Sequence, residues 1–147
     1  MNLKKLVRQI RKTLTEVAEA AAAAEAYALE HVGADEGQAL RIGLAADELA
    51  ANALTHGAVA EIAPDIALEV WGDDHFVNLR VTASGPRFDP RDYRPVTAER
   101  SDIGGRGLAL VLAFADQLSY AREGPKNITT FSVYRIGAAD PAEQSGK

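Results

Sequence analysis

The stretch Asp47-Glu48-Leu49-Ala50-Ala51-Asn52-Ala53-Leu54-Thr55-His56-Gly57 sets a carboxylate and a carboxamide one turn apart inside a strongly helical segment. Side chains at i and i+4 share a helix face, so Glu48 and Asn52 can both reach one bound group, with His56 a further turn along. Ile42, Ala45, Ala46, Leu49 and Ala53 make an apolar stripe on a different face, which leaves Glu48 and Asn52 along its border. A border position is where a pocket can open. His56 is read as a helix-end histidine interacting with the C-terminal dipole, and no second His or Cys stands at ligand spacing, so it is assigned no metal.

Upstream, Asp35 is placed to cap this helix, and Gly57 suits the position just past its end. Leu3, Leu6, Val7, Ile10, Leu14 and Val17 keep a helical period, and the Ala/Glu-rich run that follows extends a first helix to about Val32, ended by Gly33. Downstream, Ile66 to Trp71 and Phe76 to Thr82 flank Gly72-Asp73-Asp74-His75 and read as a strand hairpin. Ser84 to Gly105 holds three prolines and mixed charges, and a loop of that length in a small domain is functional or disordered. Its charged residues from Asp89 to Arg100 offer little apolar anchorage, so the stretch from Ser84 to Gly104 is expected to be mobile when empty. Leu108 to Phe114 reads as a third helix entered through glycines, and Gln117 to Arg122 with Ile128 to Arg135 as a second strand pair. The order ααββ, loop, αββ predicts an α+β fold: a two-layer sandwich with helices on one face of a mixed, mostly antiparallel sheet. Residues 1–137 are taken as one domain and 138–147 as a loose tail.

At 147 residues the chain can bury a core without staples. It has no cysteine, which removes disulfides and thiolate chemistry and agrees with a reducing, cytoplasmic setting. The first dozen residues are basic but carry no signal-peptide apolar run, and the Ala20 to Ala24 run, flanked by Glu19 and Glu25, is a plain helix rather than a membrane span. A formal net charge of -5 argues against a phosphate-backbone binder, so no direct nucleic-acid contact and no membrane contact are expected. Small ligands and protein partners remain open.

Three features converge on a nucleotide: Glu48 with Asn52, Ser84-Gly85-Pro86-Arg87-Phe88-Asp89-Pro90 after a strand, and Gly104-Gly105-Arg106-Gly107-Leu108 opening a helix. Glycines let backbone N–H groups approach phosphate oxygens, and a helix N-terminus adds a favourable dipole. Arg106 supplies a cation, Asn52 an oxygen of the kind magnesium prefers, and Glu48 a carboxylate that can orient or deprotonate an attacking hydroxyl.

In order and spacing these motifs resemble the Bergerat-fold ATPases shared by gyrases, heat-shock chaperones, histidine kinases and mismatch-repair proteins, and among them the bacterial anti-sigma-factor serine kinases. The resemblance covers roughly Thr15 to Arg135. It implies ATP and Mg2+ as cofactors, Glu48 as catalytic base, Asn52 as magnesium ligand, Gly85 beside the adenine, and the backbone of Gly105, Arg106, Gly107 and Leu108 around the phosphates. Thr129 or Thr130, with Thr130 preferred, lines the adenine end. The implied function is an anti-sigma factor that sequesters a sigma factor and phosphorylates a serine on an antagonist protein; a homodimer is left open. Two departures stand out. Ala83 occupies a position where the family has an aspartate that accepts from the adenine amino group, a loss of about 1.5 to 3 kcal/mol, or one to two decades of affinity, if uncompensated. The expected N-terminal helix stands where the family has an edge strand used in dimers. An active kinase, a weak nucleotide binder and a partner-switching module without catalysis are the readings that follow.

Overall fold

Alternation of buried and less buried residues in Ile66–Gly72 (β2), Phe76–Ser84 (β3) and Lys126–Tyr134 (β5) builds the centre of the sheet. Ile66, Leu68 and Val70, then Val77 and Leu79, then Phe131 and Val133 are all at 0% exposure and face the helices. In this computed structural model the described residues are 5–11, 13–56, 66–92 and 103–135. The remaining elements are Lys5–Ile10 (β1), Leu14–His31 (α1), Glu36–His56 (α2), a 3-10 turn at Pro90–Asp92, Ile103–Phe114 (α3) and Gln117–Glu123 (β4). The strands form one sheet in the order β1-β2-β3-β5-β4. Every pairing among the described strands is antiparallel, so the α+β sandwich holds and its sheet contains no parallel pair.

Helices α1 and α2 lie together across the sheet, and small residues set their separation. Ala20, Ala24 and Ala28 of α1 and Ala46 and Ala50 of α2 are fully buried. At Gly43 an added Cβ would come within 2.7 Å of the Glu25 carboxylate and 3.0 Å of Glu25 Cβ, so the helices approach as closely as glycine permits. The cap expected at Asp35 is present as a reciprocal box: Gln38 N–H donates to Asp35 Oδ1 at 2.7 Å, and Asp35 N–H donates to Gln38 Oε1 at 2.9 Å. No described helix is long and apolar enough to cross a membrane.

The N-terminus departs from expectation. Instead of a helix from Leu3, β1 pairs antiparallel with β2 from Lys5↔Trp71 to Ile10↔Ile66, and helix α1 starts only at Leu14, capped by Thr13, whose hydroxyl accepts from Glu16 N–H. Leu6 and Ile10 satisfy a period of two as well as a helical one; what decides is the unpaired edge of β2, which β1 satisfies with a full ladder. Val7 then points away from the core at 60% exposure. The chain therefore does carry an edge strand, and the departure drawn from a helical start does not exist. Helix α3 also begins earlier than expected, so Gly104, Gly105 and Gly107 lie within it rather than before it. Gly57 and the tail at 138–147 lie outside the described residues.

Candidate functional site

Helix α2 presents Glu48 and Asn52 half-buried at the border of its apolar stripe, as its periodicity requires. The two side chains do not share one space. Asn52 lines a cleft between α2 and the ends of β3 and β5, together with Leu49, Ala53, Val81, Ala83, Phe88, Pro90 and Thr129, while Ser84, Pro86 and Asn127 complete its rim. The cleft holds about 440 Å³ of free space including its open mouth. The Asn52 amide nitrogen is buried with no hydrogen-bond partner. An unpaired buried donor costs about 1 to 3 kcal/mol, a cost that a ligand accepting from it removes.

Glu48 turns instead toward α3. A Cβ built on Gly107 would fall 1.7 Å from Glu48 Oε2 and 2.3 Å from Cδ, so the carboxylate occupies the space that glycine leaves open. Arg41, Leu110, Phe114 and Phe131 line the small recess around it. Burial, and then the neighbouring Asp47 charge, push the Glu48 carboxyl above its ordinary value. A partly desolvated carboxylate of raised basicity beside a glycine helix is suited to accept a proton.

The first glycine segment is anchored. Gly85 has a φ of +154°, a region open chiefly to glycine, and its N–H donates to Pro125 O at 3.0 Å. Arg122 Nη1 donates to Gly85 O at 2.6 Å. Asn127 staples the segment to β5: Nδ2 donates to Pro86 O at 2.8 Å, and Oδ1 accepts from Phe88 N–H at 3.0 Å, from Arg122 Nη1 at 3.1 Å and from the Tyr120 hydroxyl. Asp89, buried at 7% exposure, is gripped by Arg91 at 2.8 Å, and that hydrogen bond holds its carboxyl below the ordinary range. The guanidinium groups of Arg87 and Arg91 sit over the Tyr120 ring at 5.4 and 5.9 Å. The expected lack of anchorage is corrected for 85–92, where Phe88 and Pro90 supply apolar contacts and Asp89 an ionic one. Residues 93–102 lie outside the described ones.

Of the other sequence candidates, Gly105, Arg106, Gly107 and Leu108 all lie in α3, and Leu108 is buried at 3% exposure; Gly107 and Leu108 fall past the first turn, where the helix's own carbonyls take their N–H groups. The Arg106 side chain is outside the described residues. Thr130 is corrected to Thr129. Strand alternation puts Thr130 on the opposite face, where its hydroxyl accepts from Arg80 Nε at 3.4 Å, while Thr129 lines the cleft. Asn127 was not singled out by sequence reasoning, because it falls in a turn-like Gly124-Pro125-Lys126-Asn127 run and the cleft-wall partners Pro86 and Phe88 stand about forty positions away. Among the described residues no group of three His, Cys, Asp or Glu could hold a metal unaided. Asn52 fits a cation that arrives with phosphates, since turning its unpartnered carboxamide presents an oxygen without changing its shape.

The family described as histidine kinase-like ATPase domain matches residues 10–133. No curated protein matches the chain. Among solved structures, the blue-light activated histidine kinase of Erythrobacter litoralis EL346 is 18% identical with a TM-score of 0.51, over 82% of this chain and 40% of that one. The histidine kinase domain of the same protein is 20% identical with a TM-score of 0.49, over 82% of this chain and 59% of that one. Histidine kinase AdeS of Acinetobacter baumannii is 18% identical with a TM-score of 0.47, over 91% of this chain and 68% of that one. At 18% identity the likeness to the first of these is one of fold alone. The chain spans well under two thirds of either Erythrobacter chain.

Proposed function

The chain belongs to the histidine kinase-like ATPase domain family, and from that premise we propose that it is a cytoplasmic anti-sigma factor that binds ATP with Mg2+ and phosphorylates a serine on a small antagonist protein. The observation that carries the nucleotide part is the pairing of an unpartnered Asn52 carboxamide in a preformed cleft with a half-buried Glu48 held against Gly107 one turn away. The sigma factor and the antagonist rest on the sequence resemblance, because a fold does not fix its partners.

In this reading Asn52 would hold the magnesium, which when bound would neutralise charge on the phosphates. Residues of the cleft walls, Leu49, Val81 and Phe88 among them, exclude water from the base and fix its plane. The N–H groups left free in the first turn of α3, at Gly104 and Gly105, donate to phosphate oxygens. Glu48 accepts the serine hydroxyl proton as the new oxygen–phosphorus bond forms and the bond to the β-phosphate oxygen breaks, releasing ADP. Its raised basicity suits that step, and α3 fixes its position.

A radiolabelled transfer assay with candidate antagonists tests the reading. Glu48→Ala is expected to lose transfer while calorimetry still detects ATP; undiminished transfer by that variant sinks the base assignment. Absence of any heat at millimolar ATP would instead favour a partner-binding module without catalysis.

A further inference from the structure

Resting on the nucleotide reading above, we infer that the cleft takes purine nucleotides without discriminating a 6-amino from a 6-oxo base. Reading that edge requires a group of fixed polarity, an acceptor for the amino group of adenine or a donor for the carbonyl of guanine. Among the described residues no charged side chain lines the cleft. Ala83, buried at 5% exposure on its floor, offers neither donor nor acceptor.

Asn127 has the right chemistry but is already spent. Its Nδ2 is committed to Pro86 O at 2.8 Å, and its Oδ1 to Phe88 N–H at 3.0 Å and Arg122 Nη1 at 3.1 Å, so turning it toward a base would release the segment that forms the wall. Asn52 stands on α2, where the proposed function commits it to the phosphate end. Thr129 and Ser84 are what remain: hydroxyls, which rotate to donate or to accept as their partners require. The rest of the lining, Leu49, Ala53, Val81, Phe88 and Pro90, is apolar and rewards the area of a two-ring base irrespective of its edge. Selection is by shape and stacking area, and both purines satisfy it.

The test is calorimetric titration of the full chain with ATP, GTP, CTP and inorganic triphosphate, each with Mg2+. ATP and GTP are expected to bind within about threefold of each other, with CTP and triphosphate at least about tenfold weaker, since both forgo apolar contact. Ala83→Asp, which installs an acceptor on the floor, is expected to favour ATP over GTP by about 10- to 100-fold. Should that variant not fold, the wild-type ratio decides alone. A wild-type preference for ATP of tenfold or more overturns the inference and leaves the nucleotide reading standing. Triphosphate binding as tightly as ATP also overturns it, because the base end is then not engaged. If none of the four binds, the nucleotide reading itself falls and the inference with it.

Discussion

Replacing Gly107 by alanine separates two effects that usually travel together. Position 107 is in the fifth place of α3, where alanine is favoured over glycine by about 0.8 to 1.0 kcal/mol, so the helix itself gains. The added methyl, however, would stand 1.7 Å from Glu48 Oε2 and 2.3 Å from Cδ. Ordinary non-bonded separation is about 3.5 Å, so the carboxylate must retreat by roughly 1.5 to 2 Å. What must move is the far end of a flexible side chain rather than backbone, so the fold can give way there at small cost. A misplacement of about 1 Å costs on the order of a hundredfold in rate. Gly107→Ala is therefore expected to lower phosphoryl transfer by about a hundredfold or more while Tm holds or rises by about 2 to 4 °C. The assays are single-turnover transfer and thermal denaturation, repeated in the Glu48→Gln background, where the alanine should change the residual rate little because the displaced group no longer works. Full activity in Gly107→Ala would refute the placement of Glu48. A loss of more than about 2 kcal/mol of stability would refute the idea that the carboxylate can move aside.

Glu48→Gln is expected to be more stable than the parent at neutral pH: a carboxyl whose folded pKa is raised favours the folded state when protonated and penalises it once ionised, so the advantage should shrink as pH falls toward its ordinary value of 4.5. Thermal melts at pH 4 to 8 check the sign, and a variant less stable at neutral pH contradicts it. Asp35→Ala removes the reciprocal cap and should cost about 1 kcal/mol, with nucleotide affinity unchanged. Asn127→Ala removes the hydrogen bonds to Pro86 O and from Phe88 N–H, an expected loss of about 1 to 3 kcal/mol in denaturant titration at about 0.5 to 1.5 per bond, together with faster amide exchange at Phe88; normal protection there would show that the staple is dispensable.

How far the sequence could be read depended on whether one element sufficed. The buried stripe of α2 was legible because Ile42, Ala45, Ala46 and Leu49 repeat at a helical period and face one neighbour. The hairpin of β2 and β3 was legible for the same reason at period two. Strand β1 was not, since Leu6 and Ile10 fit both periods and only the open edge of β2 chooses between them. Thr129 and Thr130 could not be told apart until the register Ala83↔Asn127 was known, because a shift of one residue exchanges the faces. The separation of Glu48 from Asn52 has a similar root. At 3.6 residues per turn a residue four positions on leads by about 40°, enough at a junction of elements to send one toward α3 and the other into the cleft.

The cleft's walls come from strands that are neighbours in the sheet but far apart along the chain. Ala83 faces Asn127 across β3 and β5, whereas β2 and β3 are joined by a short turn. Closing a loop that contains the 3-10 turn, α3 and β4 costs entropy before the pairing returns anything, so the transition state for folding is expected to precede the cleft rather than contain it. A nucleotide that needs both walls then has nothing to hold until the barrier has been crossed. It should leave the refolding limb of a chevron in place and lower the unfolding limb, so that occupancy lengthens the lifetime of the native state without hastening its arrival.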